Sequence, residues 1–224
     1  DPYRDGDDDP DSGLGPAFDE PSDVDAAADV EGDEDREAVL APLSDEDADT
    51  LLERFIAIDR EITGRWPESK LEPTLSRVAS VVELLGDPQN AYPVIHLAGT
   101  NGKTSTSRMV ESLLRAFGLR TGLYTSPHLH SMRERIRIDG TPIDLERFVR
   151  VYDDIAPFLD LVDERSAASG GPRLSYFEAL TMVGLAAFAD APVDVAVLEC
   201  GMGGAWDATN VATEIGRASC RERV

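Results

Sequence analysis

Cysteine is nearly missing from this 224-residue chain; Cys200 and Cys220 are the two present. Two cysteines make no disulfide framework and suit a reducing cytoplasm. Long apolar runs are missing as well. The most apolar stretch, Met182 to Leu198, is interrupted by Asp190, Pro192 and Asp194, too soon to span a bilayer, and no signal peptide is visible. Basic charge is scarce: 21 Lys and Arg face 44 Asp and Glu, a net charge of −23, which argues against nucleic acid as a partner. No Asn-Lys-x-Asp motif is visible, which counts against a guanine-nucleotide switch. The sequence opens on Asp1 rather than Met, so its first residue is not expected to be the native start.

The negative charge is concentrated at one end. Residues 1–50 carry 20 acidic and 2 basic side chains, a net of −18, leaving −5 for the other 174. A stretch rich in Asp, Glu, Pro and Gly with few large apolar residues buries too little surface to offset its ordering entropy. Residues 1–43 are therefore expected to be a disordered acidic tail, a solvated leader rather than an interaction arm. At the other end, residues 214–224 resemble the in-frame translation of a sequencing adapter and are set outside the domain as a processing artefact. The domain is then expected over 44–213, with native sequence stopping near Val211 to Thr213, in mid-domain.

What organises the rest is Pro93-Val94-Ile95-His96-Leu97-Ala98-Gly99-Thr100-Asn101-Gly102-Lys103-Thr104-Ser105. A short apolar run turns through two glycines into an amphipathic segment carrying Met109, Val110, Leu113, Leu114 and Phe117, and Gly118 closes it. Strand, glycine turn and helix in that order make a phosphate loop, with Gly99 to Ser105 as the nucleotide-binding residues. Glycines let backbone N–H groups converge on phosphate oxygens, and the helix N-terminus adds a partial positive charge. Lys103 supplies the full charge to the β- and γ-phosphates, and the Thr104 hydroxyl faces Mg²⁺. The spacing is shorter than usual, with Thr100 and Asn101 alone between Gly99 and Gly102.

The flanks predict an α/β fold. Ser44 opens a helix with Leu51, Leu52, Phe55, Ile56 and Ile62 at helical spacing, broken at Trp66-Pro67. Leu75, Val78, Val81, Val82 and Leu85 form a second helix ending at Gly86, and Asp87-Pro88-Gln89-Asn90 is a turn. Arg120 to Thr125 is a short strand, parallel to the first by the right-handed crossover rule. Ser126 to Arg135 is a polar, basic, irregular segment, and Ile136 to Gly140 alternates like an edge strand. Asp144 caps a helix, Gly170-Gly171-Pro172 is a loop, and Ser175 with Glu178 forms a capping box for a helix through Phe188. Val193 to Leu198 is a buried strand delivering Glu199 at its carboxyl end, where open α/β sheets bind ligands. Gly201-Met202-Gly203-Gly204 is a second glycine turn.

Chemistry concentrates at those strand ends. Mg²⁺ prefers a few protein oxygens alongside phosphate and water, so Thr104, Ser126 and Glu199 make a partial metal shell. Lys103 and Glu199 are the candidate catalytic residues. Glu178 is accounted for by its capping box, His96 by a place in the core, and Cys200 by a small buried space. His128 and His130 lie in a polar loop within reach of a substrate. Arg133 and Arg135 either bind an anionic substrate group or belong to a solvated loop.

These residues resemble the folylpolyglutamate synthases and dihydrofolate synthases of the Mur-ligase superfamily, from about Leu51 to Val211. The resemblance rests on Leu71-Glu72-Pro73-Thr74-Leu75, the Gly99–Ser105 loop, Thr125-Ser126-Pro127-His128-Leu129 with Glu134-Arg135-Ile136, Tyr176-Phe177-Glu178, and Glu199-Cys200-Gly201-Met202-Gly203-Gly204 with Asp207-Ala208-Thr209-Asn210. It implies an incomplete Mur-ligase central domain, a P-loop NTPase-like parallel sheet flanked by helices. It also implies a cytoplasmic, ATP- and Mg²⁺-dependent amide ligase, monomeric, with dihydropteroate or folate and L-glutamate as substrates. Ser126 and Glu199 would be metal ligands, and the 125–136 segment, with Thr125, Ser126, Pro127, His128, Leu129 and Arg135, would border the pterin site. The family often has Arg where Ala205 stands and a small aliphatic residue where Cys200 stands. It further implies a histidine metal ligand, a modified lysine and a smaller C-terminal domain beyond Thr213, so the fragment alone is expected to be inactive. The alternatives are another Mur-type ligase and a P-loop NTPase without ligase activity.

Overall fold

A computed structural model describes residues 44–65, 74–201, 204–212 and 214–220. The acidic tail at 1–43, the Trp66-Pro67 break, Leu71-Glu72-Pro73, Met202-Gly203, and residues 213 and 221–224 lie outside the described residues. The first helix, α1, runs Asp45–Thr63, and the Ser44 hydroxyl accepts from the Asp47 N–H at its start. Helix α2 is Ser76–Leu84. Past it, Asp87 takes the left-handed conformation at φ 58° before a single 3-10 turn, Pro88–Asn90. Strand β1, Val94–Gly99, then leads into α3, Lys103–Ala116.

Strand β2 is Thr121–Tyr124, and β3, Ile136–Ile138, returns antiparallel to it. The two-residue edge strand β4, Thr141–Pro142, follows, with proline where no inner hydrogen bond is required. Helix α4, Leu145–Ala168, starts on the Asp144 cap, whose carboxylate accepts from the Arg147 N–H at 2.7 Å. Helix α5, Tyr176–Asp190, begins at the Ser175–Glu178 capping box, and β5, Val195–Glu199, follows. Strands β1, β2 and β5 are mutually parallel, and with a last strand β6, Glu214–Cys220, the sheet order is β4-β3-β2-β5-β1-β6.

Alternation along the strands divides the core in two. Val94, Tyr124, Ala196 and Leu198 face the larger cluster, built with α1, α2, α4 and α5 around Phe148, Tyr152, Met182 and Phe188. Leu97, Leu123 and Val197 face the other way and meet Ile95 with Val110 and Leu114 of α3. Helix α3 forms where the apolar spacing predicts it, and of the five apolar residues that mark it Val110 and Leu114 pack on the sheet, whereas Met109, Leu113 and Phe117 are exposed, Phe117 at 82%. The strip of α3 that meets the sheet is polar at Ser107 and Glu111, because Ser107 bonds back to the Lys103 carbonyl and Glu111 accepts from the Thr121 hydroxyl at 2.7 Å.

The segment set outside the domain on sequence grounds also enters the sheet. Glu214–Cys220 forms β6, parallel to β1 along its free edge. Backbone N–H and C=O groups along an open edge pair with any extended segment that reaches them, whatever its side chains. Among the described residues no helix is long and apolar enough to cross a membrane.

Candidate active site

The site is built where β1, β5 and β2 end. β1 stops at Gly99, at φ 146°, and the chain re-enters helix at Gly102, at φ 75°, a left-handed geometry that strains any side chain. No side chain caps α3, so its first N–H groups open onto the loop as an anion site. Lys103 curls back over that loop, and its ammonium donates to the Gly99 carbonyl at 3.0 Å. Thr100, Asn101, Gly102 and Ser105 are exposed, while Gly99, Lys103 and Thr104 are half-buried.

Glu199 ends β5 directly opposite Leu97 of β1 and is 2% exposed. The Thr104 hydroxyl donates to one carboxylate oxygen at 2.8 Å, and the Ser126 backbone N–H donates weakly to the other at 3.4 Å. Lys103, Thr104, Ser126 and Glu199 therefore share one end of the sheet, as their positions in the sequence suggested. Burial pushes the Glu199 carboxyl above its ordinary value, opposed by the Thr104 and Ser126 bonds and the charges of Lys103 and Arg108. A cation would remove the penalty that burial places on the ionised form. The donors here are oxygens, and among the described residues no three His, Cys, Asp or Glu side chains gather to hold a metal. One carboxylate with hydroxyls suits a hard cation such as Mg²⁺, which completes its shell with phosphate and water.

The segment after β2 is more ordered than its composition suggests. Glu134 accepts the backbone N–H groups of Leu129, His130 and Ser131 at 2.9, 3.0 and 3.1 Å, and Ser131 returns the capping box onto a 3-10 turn, Met132–Arg135. Those bonds hold the Glu134 carboxyl below its usual range. Arg135, read as loop-borne, is buried: its Nε–H donates to His128 Nδ1 at 2.9 Å, and its guanidinium lies 5.1 Å from the centre of the Tyr176 ring. Accepting at Nδ1 places the His128 proton on Nε2. Arg133 turns away from the site, donating to the Ile143 carbonyl at 2.9 Å above the Phe55 ring. Thr125 is buried and its N–H bonds the Arg135 carbonyl, while Pro127, His130 and Leu129, at 86%, face solvent.

Two features escaped the sequence reading. Arg77 of α2 pairs with Glu178 at 3.0 Å, so the capping carboxylate is also half of a buried ion pair. Arg108 stands one helical turn past Thr104, exposed, with its charge felt at Glu199. The i, i+4 spacing from Thr104 was the signal that marked it. His96 is buried as expected, with Nε2 2.8 Å from the Thr209 hydroxyl. Burial pushes the Cys200 thiol up to about 11.

No family model matches the chain. The dihydrofolate synthase/folylpolyglutamate synthase of Mycobacterium tuberculosis is 54% identical over 159 residues, 70% of this chain and 33% of that protein. The solved structure of Mycobacterium tuberculosis folylpolyglutamate synthase complexed with ADP superposes with a TM-score of 0.71 at 48% identity, covering 75% of this chain and 37% of that one. A bifunctional folylpolyglutamate synthase/dihydrofolate synthase with Mn, AMPPNP and L-glutamate bound superposes at 0.57 with 36% identity, over 67% and 34% of the two chains. This chain thus spans about a third of the length of these relatives.

Proposed function

We propose, from the premise that this chain is homologous to the folylpolyglutamate synthase/dihydrofolate synthase family, that it carries the nucleotide-binding end of a cytoplasmic, ATP-dependent amide ligase. The intact enzyme joins L-glutamate to dihydropteroate, to the γ-carboxylate of a folate, or to both. The observation that carries this reading is the Thr104–Glu199 hydrogen bond, which sets the lysine-bearing loop beside a buried carboxylate.

A free carboxylate is a poor acyl donor, and converting it to an acyl phosphate supplies a good leaving group. The substrate carboxylate attacks the γ-phosphoryl group of ATP and ADP departs. The glutamate amine then attacks the acyl carbon, forming the amide and releasing phosphate. Lys103 and the open N–H groups of α3 bind the β- and γ-phosphates and stabilise charge on the transferring group. Glu199, Thr104 and Ser126 are the residues to hold Mg²⁺, which neutralises phosphate charge when bound. The 125–129 segment, backed by Arg135, borders the pterin-bearing acid, and Glu134 keeps that segment in one shape.

The test is substrate dependence. The intact protein is expected to release phosphate from ATP when given both a pterin acid and L-glutamate, with the amide appearing by mass spectrometry. ATP hydrolysis indifferent to both substrates would instead make it a phosphate-loop NTPase. The 224 residues alone, spanning a third of the relatives' length, are expected to turn over little or no substrate.

A further inference from the structure

The Asp207-Ala208-Thr209-Asn210 motif and the buried His96 have no part in the chemistry above, yet they meet. The Asp207 carboxylate accepts the Thr209 N–H at 3.0 Å and the Thr209 hydroxyl at 2.5 Å through the same oxygen, Oδ1. The Thr209 hydroxyl has one hydrogen, and Asp207 takes it. His96 Nε2, 2.8 Å from that hydroxyl, therefore donates to it. All three side chains are buried. The other oxygen of Asp207, Oδ2, lies against Gly201, 3.3 Å from where a Cβ would stand. Asn210 closes the other side of the turn, its amide donating to the Gly204 carbonyl at 2.5 Å.

Position gives these contacts a consequence. His96 lies in β1 opposite Leu198, and the next pair in register is Leu97 with Glu199. The Cys200 N–H bonds the Leu97 carbonyl at 2.8 Å, after which the chain leaves the sheet through glycine. A strand end followed by glycine has little to fix its direction. The relay from His96 through Thr209 to Asp207 runs from β1 to the backbone at Gly201, two residues past Glu199.

We propose that Asp207, Thr209 and His96 act as positioning residues that hold the end of β5 so that the Glu199 carboxylate faces Thr104 and Ser126, ready for a divalent cation. This rests on the metal-holding role assigned to Glu199 above. A polar relay that orients a ligating carboxylate typically contributes about 10- to 100-fold to metal affinity.

The test uses Thr209→Val in the intact protein, which keeps the side chain's shape and removes the hydroxyl, with Thr209→Ser as the conservative variant. Mn²⁺ affinity in the presence of ADP, read by electron paramagnetic resonance, is expected to fall about 10- to 100-fold in Thr209→Val and to return in Thr209→Ser. Metal-free ADP affinity, set by the loop at 99–105, is expected to stay unchanged. A lowered melting temperature with wild-type Mn²⁺ affinity would make the relay structural only and overturn the proposal. Where Thr209→Val does not fold, His96→Phe removes the outer donor alone, and unchanged Mn²⁺ affinity there overturns the proposal equally. Glu199→Ala tests the underlying assignment. If it weakens Mn²⁺ binding while Thr209→Val does not, the relay fails and the metal role of Glu199 stands.

Discussion

Replacing Gly122 with alanine tests how closely β2, the strand that leads to Ser126, sits under α5. A Cβ at Gly122 would lie 2.7, 2.8 and 3.0 Å from Cδ1, Cγ and Cε1 of Phe188. Carbon atoms in good contact stand about 3.5–4.0 Å apart, so the overlap is roughly 1 Å. The ring has nowhere to retreat. Phe188 is fully buried and sits edge-on to Tyr92 with centroids 6.0 Å apart, and the Tyr92 hydroxyl is tied to the Leu185 carbonyl at 2.9 Å. Overpacking of this kind costs about 1–3 kcal/mol. For a domain of this size each kcal/mol lowers the melting temperature by about 2–4 °C. Phe188→Leu opens space at the same point, so in that background the cost of Gly122→Ala should drop by at least about 0.5 kcal/mol. Thermal or urea denaturation of the wild type, the two single variants and the double variant measures the cycle. An equal cost of Gly122→Ala in both backgrounds, or none in either, would refute the packing argument.

Other perturbations follow from single contacts. Arg77→Met leaves the Glu178 carboxylate buried without its cation, for a loss of about 3–5 kcal/mol by urea denaturation; a loss below 1 kcal/mol contradicts the pair's importance. Because burial raises the Glu199 carboxyl, the folded state holds that proton more tightly than the unfolded chain does. Metal-free stability should then fall as pH rises from the ordinary glutamate range through the raised value, and Glu199→Gln should lack that component; parallel profiles for the two proteins would show the carboxylate to be unperturbed. With its thiol pushed up to about 11 by burial, Cys200 should resist maleimide at pH 8 in the native state and react on unfolding, as peptide mass mapping would show.

What was legible in the sequence was local. The order of strand, glycine turn and helix placed the phosphate loop, and the Ser175–Glu178 spacing placed the start of α5. The end of β5 at Glu199 was legible from its place between an apolar run and a glycine turn. The same spacing rule was available at Ser131 and Glu134, and a loop reading based on composition passed over it. Pairings across the chain left no local trace. Arg77 meets Glu178 across 101 residues and His96 meets Thr209 across 113, and nothing in either neighbourhood names its partner. The apolar stripe of α3 placed the helix, but periodicity reports a hydrophobic face and not what covers it. Phe117 and Leu113 have the spacing of a core and the exposure of a surface.

If Lys103 and Glu199 serve one nucleotide and one cation, the ATP affinity of the intact protein depends on Mg²⁺ through Glu199. Calorimetry with and without Mg²⁺, for the wild type and Glu199→Ala, measures that dependence. Mg²⁺ is expected to tighten ATP binding in the wild type, and this gain is expected to disappear in Glu199→Ala, with metal-free affinity retained. An undiminished Mg²⁺ effect in Glu199→Ala would contradict that shared role.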